Sequence, residues 1–348
     1  MIRVAHLLDD FGMGGVTRAL TLFEEPALTR LATSAVVPVK PEALIAPRVG
    51  ADLIVDHMAL SWKRLAFIAS LRARNPHCRI VHVEHSYTRS FEHENIQAVG
   101  RFRAMLKIAA SLVDEIVCVS NAQRDWLAQT VGISSTKLTV IYPWTDRSEL
   151  FEVPEPQPAC GRHVRLLAYG RFAPVKNFTA LIEAMSAVPE TTAQLTIFGD
   201  GPDRASLEAM AAALPNVTVL GPCHSPAAHL ANCDAVVIPS RCESFGLVAT
   251  EARMAARPIL VADVDGLPEQ VGSAGLSAIM SAAEEIETGI QAFSKLDLVR
   301  LGANGRNEVR GQSEKIISRW VSLIKRSALT VQRGGLVRQR QIGESAAL

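Results

Sequence analysis

Residues 239–271 read PSRCESFGLVATEARMAARPILVADVDGLPEQV and follow directly on the apolar run 235–238. The apolar run predicts a buried strand. A polar turn carrying Glu243, a helix over 247–256, a second strand over 258–262 and a closing loop over 265–269 are expected to follow. Strand, turn, helix and strand in this order form one parallel βαβ unit, and such units bind ligands beyond the carboxyl ends of their strands.

Two acids in this unit are candidates for contacting a ligand. Glu243 is expected on the turn and Glu251 in the first turns of the helix. The helix N-terminus at Gly246, Leu247 and Val248 is suited to an anion such as a diphosphate. Beside an anion, a carboxylate is expected to accept hydroxyl hydrogen bonds from a sugar or a ribose rather than to act as a charge partner. A capping acid and a solvated helix acid are the alternative.

The spacing of these residues resembles a known signature. Glu243-Ser244-Phe245-Gly246, Glu251-Ala252 and Gly266-Leu267-Pro268-Glu269 are similar to the E-x-F-G-x-x-x-x-E-A…G-G-x-P-E pattern of retaining GT-B glycosyltransferases of the family-4 type. The resemblance implies that Glu243 lies by the donor sugar and that Glu251 binds the nucleotide ribose. The sequence departs from the pattern at Arg253 and Ala256, which replace Met and Gly, and at Asp265, which replaces the first of two glycines.

A second motif carries positive charge. A predicted strand over 164–169 runs into Gly170-Arg171, and Lys176-Asn177 follows, which looks like the family's G-R-x-x-x-x-K element. Two cations five residues apart on a glycine-led turn can converge on one diphosphate, with Arg171 as a bidentate donor and Lys176 as a mobile point charge. Two solvated surface charges are the alternative.

The chain begins with a strand, a glycine turn and a helical pattern. Residues 2–8 are apolar, Gly12-Met13-Gly14-Gly15 follows, and residues 16–22 have helical spacing. In the resembled family, a glycine pair here faces the donor phosphates, which implies that role for Gly14 and Gly15. A tight turn without a ligand is the alternative. No acid follows a clear second strand at the dinucleotide spacing, which argues against a dehydrogenase.

Two histidines near the end of the predicted strand 79–84 compete for one role. With a period of two, His82 and Glu84 share one face of the strand and His85 lies on the other. The family carries a histidine after this strand that lines the acceptor side and contacts the donor sugar. His85 fits this role best, and His82 is the competitor. For each of the two, a purely structural role in the core or as a cap is the alternative. Residues 89–94 are predicted to form a solvated acceptor-side loop.

Composition and the position of a proline-rich segment predict the domain organisation. A chain of 348 residues that is 48% apolar is long enough for two cores and is expected to be soluble. A proline-rich linker predicts an acceptor-side domain over 1–152, a linker over 153–163, a nucleotide-sugar domain over 164–312 and a returning helix with a basic tail over 313–348. Six cysteines without a C-x-x-C pair, and no signal peptide, predict a cytoplasmic protein.

These observations predict an α/β protein of the GT-B type, with two Rossmann-like domains whose parallel sheets face a central cleft. The implied function is a retaining, metal-independent hexosyltransferase of polysaccharide biosynthesis, which uses a UDP- or GDP-sugar and a glycan or lipid-linked acceptor. No cofactor and no metal are expected, because acids such as Asp9-Asp10 and Asp263-x-Asp265 are interpreted as isolated and not as a D-x-D motif that would hold a metal. A nucleotide-sugar epimerase of the same fold and a non-catalytic partner subunit are the alternatives.

Charge is distributed unevenly along the chain. The formal net charge is +1, which implies no nucleic-acid partner. Residues 315–348 hold seven basic residues and one acid, a net of +6, whereas the other 29 basic and 34 acidic residues give −5. A basic segment of this kind predicts peripheral attachment at the inner face of an anionic membrane. A solvated tail is the alternative, and Gly334-Gly335 predicts disorder beyond about Ala328.

Overall fold

The computed structural model describes residues 1–11, 15–157, 162–223 and 225–345. It divides into two compact units, the first formed by residues 1–146 with 313–348 and the second by residues 147–312. Each unit has its own six-stranded sheet in which all neighbouring strands are parallel. The predicted α/β class is therefore confirmed.

The sheet of the first unit has the order β2-β1-β3-β4-β5-β6. Its strands are β1 Ile2–Leu8, β2 Ala32–Pro38, β3 Leu53–Asp56, β4 Arg79–Glu84, β5 Glu115–Cys118 and β6 Leu138–Val140. The central strands β3, β4 and β5 have almost every residue buried, as expected when helices cover both faces of a parallel sheet. Strand β2 lies on one side of β1, and β3 to β6 follow one another on its other side. The direction of winding therefore reverses between β1 and β3.

The helices of the first unit are α1 Gly15–Ala19, continued by a 3₁₀ turn Leu20–Glu24, α2 Pro26–Thr29, α3 Trp62–Arg74, α4 Arg89–Asn95, α5 Val99–Leu112 and α6 Asn121–Asp125, continued by a π-helical turn Trp126–Val131. Helix α4 corrects the predicted loop over 89–94. Thr88 caps it by accepting a hydrogen bond from the Phe91 amide, and the buried Glu92 accepts hydrogen bonds of 2.8 and 2.6 Å from Arg103. The charges of this segment thus stabilise a packed helix.

The sheet of the second unit has the order β12-β11-β10-β7-β8-β9. Its strands are β7 Val164–Arg171, β8 Ala193–Asp200, β9 Val217–Leu220, β10 Ala235–Ile238, β11 Ile259–Ala262 and β12 Gly275–Ala278. Its helices are α7 Phe178–Met185, α8 Arg204–Ala211, α9 Ala227–Ala231, α10 Leu247–Met254, α11 Ala283–Phe293 and α12 Leu298–Val309. The βαβ unit predicted around residues 239–271 is present as β10, α10 and β11.

The three departures from the sequence signature have structural counterparts. Ala256 has φ +52° and Asp265 has φ +47°, the left-handed conformation that glycine adopts at least cost. Helix α10 ends at Met254, just before this reversal, and not at residue 256 as predicted. Arg253 is buried and pairs with Glu308 of α12 at 2.9 Å. The chain therefore keeps the backbone that glycines would adopt, at the cost of two strained residues.

The second unit begins earlier than the predicted linker. Leu150 and Val153 are buried in its hydrophobic core, so the division falls between Asp146 and Arg147, ahead of residues 153–163. The last helix, α13 Gln312–Ser345, belongs to the first unit. Its Trp320 packs edge-on against Phe23 at 5.1 Å. The helical backbone continues beyond the end predicted near Ala328. Among the described residues, no helix has the length and hydropathy needed to cross a membrane.

Candidate active site

The winding of the second sheet reverses between the adjacent strands β7 and β10. In open α/β sheets, ligands bind outside the carboxyl ends of the strands at such a switch point. Arg171 and Lys176 follow from β7, and Glu243 follows from β10. The sheet therefore brings the two predicted motifs to one edge, although Lys176 and Glu243 are 67 residues apart.

Lys176 and Glu243 form an ion pair at this edge. The Lys176 ammonium donates to Glu243 Oε2, and Ser240 Oγ donates to the same oxygen at 3.3 Å. The two side chains are 23% and 15% exposed, so the pair is open to a ligand. The sequence did not indicate that Lys176 is the partner of Glu243, because the two meet only through the pairing of β7 with β10. Glu243 thereby orients the Lys176 ammonium.

Further polar contacts tie together the loops that follow β7 and β10. Asn177, in the left-handed conformation at φ +56°, accepts a 3.0 Å hydrogen bond from Arg241 Nε and donates one to the Met280 carbonyl. The Arg241 amide donates to the Val175 carbonyl at 2.9 Å. Arg171 is exposed at the end of β7. Arg241 is a third cation at this edge that the sequence reasoning missed, although its position two residues before Glu243 could have indicated it.

The N-terminus of α10 is held by close packing around Gly246. Gly246 has φ +86°, and a Cβ atom there would lie 2.6 Å from Leu267 Cδ2 and 3.2 Å from Glu243 Cγ. The buried Gln270 donates to the carbonyls of Phe245 and Gly246 at 2.6 and 2.8 Å. The first amides of a helix have no acceptor within the helix, so those of Leu247 and Val248 are suited to an anion. Gln270 was not predicted as a support of this turn.

Glu251 is buried on α10 and contacts two side chains of the second unit. The Tyr169 hydroxyl donates to Glu251 Oε2 at 2.8 Å, and Arg147 Nε lies 3.1 Å from Oε1. Burial, with Glu251 beside it, raises the pKa of Tyr169 well above its ordinary value. The solvated-acid alternative is therefore wrong for Glu251, because its side chain is buried. Tyr169 and Arg147 were both missed by the sequence reasoning.

The acids considered as metal ligands are placed differently. Asp263 is exposed, whereas Asp265 Oδ2 accepts a 3.2 Å hydrogen bond from the Glu243 amide. Across the part of the chain that the structure describes, no group of three or more His, Cys, Asp or Glu side chains is arranged to hold a metal ion. Asp265 thus serves to position the turn that carries Glu243.

In the first unit, the described residues that were predicted for the site lie at the start of α1 and at the carboxyl end of β4. Gly15 opens α1, whereas Gly14 lies outside the described residues. His82 is buried, with Nδ1 3.0 Å from Asp56 Oδ2 and Nε2 3.5 Å from Glu84 Oε2. Burial opposes a charge on His82, but the two carboxylates outweigh it and raise its pKa to about 10. His82 is therefore a charged core residue enclosed by two acids.

His85 has a different environment at the carboxyl end of β4. It is partly exposed, and its Nε2 lies 3.1 Å from Nδ1 of His57, whose Nε2 lies 3.0 Å from Nδ1 of His6. Burial lowers the pKa of His6 to about 3 and that of His85 to about 4, and it holds the pKa of His57 well below its ordinary value. All three rings are therefore neutral at pH 7. His6 and His57 were not singled out in the sequence.

Two units, each with a six-stranded parallel sheet whose winding reverses at a switch point, define a protein of the doubly wound α/β class. Comparison with protein families identifies the class more closely. The model described as "Glycosyl transferases group 1" matches residues 163–296, and the model described as "Glycosyltransferase Family 4" matches residues 37–149. The chain belongs to the group 1 glycosyltransferases, and it is a transferase with the GT-B fold.

Individual relatives agree with this assignment. An uncharacterized glycosyltransferase of Methanocaldococcus jannaschii is 25% identical over 74% of this chain and 70% of its own length. The N-acetyl-alpha-D-glucosaminyl L-malate synthase of Bacillus anthracis is 31% identical over 45% of this chain, and the matched region spans 44% of that enzyme. A GDP-mannose-dependent mannosyltransferase of Mycobacterium tuberculosis is 28% identical over 46% of this chain, again spanning 44% of the relative.

Solved structures share the fold. HepE of Anabaena, in complex with UDP and glucose, superposes with a TM-score of 0.72 at 17% identity and covers 93% of this chain and 100% of its own. The sucrose-phosphate synthase of Thermosynechococcus elongatus superposes with a TM-score of 0.70 at 20% identity over 99% and 100% of the two chains. The predicted family and GT-B fold are thus confirmed.

Proposed function

We propose that this protein is a retaining, metal-independent glycosyltransferase that moves a sugar from a nucleotide-sugar to a glycan or lipid-linked acceptor. The observation that carries the proposal is the ion pair of Lys176 with Glu243, which lies at the switch point of the second sheet beside the N-terminus of α10. Such an edge offers positive charge and free amides to a diphosphate, and a carboxylate to sugar hydroxyls.

The chemistry follows from where charge develops. When the bond between the sugar and the diphosphate breaks, negative charge accumulates on the leaving phosphate. The Lys176 ammonium, the Arg171 guanidinium and the amides of Leu247 and Val248 are the groups that stabilise this charge. Preorganised donors of this kind are often the largest catalytic contribution. They supply the stabilisation that a bound metal provides in other transferases, and this is our reason for proposing metal independence, with no cofactor required.

The two glutamates have separate roles in this proposal. Glu243 accepts hydroxyl hydrogen bonds from the donor sugar while its Oε2 keeps Lys176 in place. Glu251 accepts hydrogen bonds from the ribose hydroxyls and is held in position for this by Tyr169 and Arg147. His85 of the first unit contacts the donor sugar. UDP is the nucleotide in the HepE structure and GDP-mannose the donor in the mycobacterial enzyme's name, so both nucleotides are candidates.

The test is incubation with a panel of UDP- and GDP-sugars, with and without glycan and lipid-linked acceptors. Transfer, or slow release of free nucleotide without acceptor, supports the proposal, and proton NMR of the product establishes whether the anomeric configuration is retained. Activity should persist in EDTA, and a requirement for Mn²⁺ or Mg²⁺ would contradict metal independence. Interconversion of donor sugars would instead identify an epimerase, and tight binding without turnover would identify a partner subunit.

We also propose that the basic end of the chain contacts an anionic membrane surface at the cytoplasmic leaflet. Ile316, Trp320, Leu323 and Ile324 are buried, so the apolar side of the early part of α13 is used within the first unit. Arg319 donates to the Val140 carbonyl, and Arg326 pairs with Glu115 at 3.1 Å, so both cations are used within the first unit. Lys325 and the basic residues beyond Ser327 are the cations that the proposal assigns to lipid headgroups, at about 1 kcal/mol each.

A further inference from the structure

Three histidines of the first unit form a continuous row across adjacent strands. His6 lies on β1, His57 directly follows β3 and His85 directly follows β4, and these three strands are neighbours in the sheet. His6 Nδ1 lies 3.0 Å from His57 Nε2, and His57 Nδ1 lies 3.1 Å from His85 Nε2. The ring planes of the two pairs differ by only 29° and 22°. We call these residues the histidine row.

The number of protons fixes the polarity of this row. A neutral imidazole carries one N–H, so three neutral rings carry three protons. Each of the two N···N contacts needs one proton, because two lone pairs or two N–H groups would repel each other at this distance. The third proton therefore resides at one end of the row, either on His85 Nδ1 or on His6 Nε2. The tautomer of His85 is set by what happens at His6, two rings away.

The environment of His6 decides between the two ends. His6 is 1% exposed, and its Nε2 is a buried atom without a hydrogen-bond partner among the described residues. A proton placed there would be a buried donor with no acceptor, and orphaned buried N–H groups are rarer in proteins than under-satisfied acceptors. His85 is the partly exposed end of the row. The third proton is therefore more stable on His85 Nδ1.

We propose that His57 and His6 are positioning residues that hold His85 as the Nδ1–H tautomer, so that it offers a hydrogen-bond donor to a substrate oxygen. The inference rests on the proposed function, in which His85 contacts the donor sugar, and it specifies the kind of contact. His6 Nδ1–H donates to His57, His57 Nδ1–H donates to His85 Nε2, and His85 Nδ1–H donates to a sugar hydroxyl or phosphate oxygen. The opposite polarity would present a bare nitrogen, which could act as a base. The row thus makes His85 a neutral donor.

The direct test is the tautomer of His85 in the full-length protein. In protein labelled with ¹⁵N-histidine, protonated and bare ring nitrogens have well-separated ¹⁵N shifts. The signals of His85 are assigned by their loss in His85→Ala. The expected result at pH 7 is a protonated Nδ1 and a bare Nε2, and in His57→Leu the preference for this form should be lost. A protonated Nε2 in the wild type, or an unchanged His85 tautomer in His57→Leu, would overturn the proposal. This measurement does not depend on transferase activity, so it is separate from the test of the proposed function.

Kinetics provide the second test once a donor has been identified. Loss of one hydrogen bond in the row should lower kcat of His57→Leu about 3- to 10-fold. His57→Gln, whose amide can both donate and accept, should recover part of the loss. Because His57 acts through His85, adding His57→Leu to His85→Ala should cause no further loss. Losses that add fully in the double variant, or no difference between the Leu and Gln variants, would show that His57 has only a packing role.

Discussion

Lowering the pH from 7 to 5 is expected to destabilise the first unit through the histidine row. Burial lowers the folded pKa of His6 to about 3 and that of His85 to about 4, from an ordinary value of 6.5. Below pH 6.5, these histidines therefore become protonated in the unfolded chain while they stay neutral in the folded chain. For a histidine whose folded pKa is depressed, the stabilisation is complete above pH 6.5 and is lost as the pH falls from 6.5 towards 4.

The size of the effect follows from the two pKa values. At pH 5, each of these histidines lies about 1.5 pH units below its unfolded pKa, which corresponds to about 2 kcal/mol. His6 and His85 together should therefore lower the free energy of unfolding by about 4 kcal/mol, against a typical total of 5–15 kcal/mol. His82, with a folded pKa of about 10, is already protonated in the folded state at pH 7, whereas in the unfolded state it takes up its proton between pH 7 and pH 5, so it offsets this loss by about 0.8 kcal/mol.

The assay is urea unfolding of the full chain at pH 7 and pH 5, followed by tryptophan fluorescence. All four tryptophans, Trp62, Trp126, Trp144 and Trp320, lie in the first unit, so the signal reports that unit alone. His6→Leu should reduce the difference between the two pH values by about 2 kcal/mol. His93→Ala, which removes an 86% exposed histidine, is the matched control and should leave it unchanged. A difference below about 1 kcal/mol in the wild type, or an equal one in His6→Leu, would refute the reasoning.

Four other perturbations test the site and the fold. Lys176→Ala should lower kcat about 10²- to 10³-fold, because the charge that Lys176 meets grows as the leaving group departs. Steady-state kinetics on Lys176→Ala and Lys176→Arg check this, and a rise in KM at constant kcat would mean that Lys176 only anchors the donor. Glu251→Gln should weaken binding of UDP or GDP by about 1.5–3 kcal/mol in calorimetry, since a charged acceptor for the ribose is lost. Glu208→Gln, at an exposed position, is the control. If the wild type and Glu251→Gln bound the nucleotide with equal affinity, Glu251 would not bind the ribose. Ala256→Gly should stabilise the second unit by about 1 kcal/mol, because φ +52° is strained for alanine. Thermal unfolding measures it, and an unchanged or lower Tm would contradict the strain. Truncation after Ser327 should reduce flotation with anionic vesicles at low salt and leave turnover of a water-soluble acceptor intact, whereas equal flotation of both proteins, or binding insensitive to salt, would exclude an electrostatic tail.

Much of the fold could be predicted because buried parallel strands are apolar runs that stand out from their surroundings. Strands β1, β4 and β10 begin and end where the sequence predicted. Helices α11 and α12 and strand β12 were not predicted. Strand β12 is only partly buried along its length and contains Gly275, which weakens the apolar pattern that would mark a strand. Helices α11 and α12 lie beyond the last motif that guided the interpretation.

The candidate site was predictable as a set of residues but not as a set of partners. Local spacing identified Lys176, Glu243 and Glu251, since each belongs to a motif of a few positions. Their partners come from the order of strands in the sheet: Glu251 meets Tyr169 across 82 residues, and His6 meets His57 across 51. A single sequence contains no record of which strands are neighbours, so contacts of this range follow only from the folded chain.

Asp265 shows how one loop can be stabilised by two different chemistries. A glycine at this position would adopt φ +47° without strain, but it could not accept the hydrogen bond that Asp265 Oδ2 receives from the Glu243 amide. Asp265 therefore has a more strained backbone than a glycine would have, but its side chain makes a hydrogen bond that a glycine could not make. The partner in that hydrogen bond is Glu243, the residue proposed to contact the donor sugar. Substitution at Asp265 would therefore release a turn and also free an amide within the site. In this chain, the conformation of the loop at Asp265 and the placement of Glu243 are coupled through one hydrogen bond, so a change in either displaces the other.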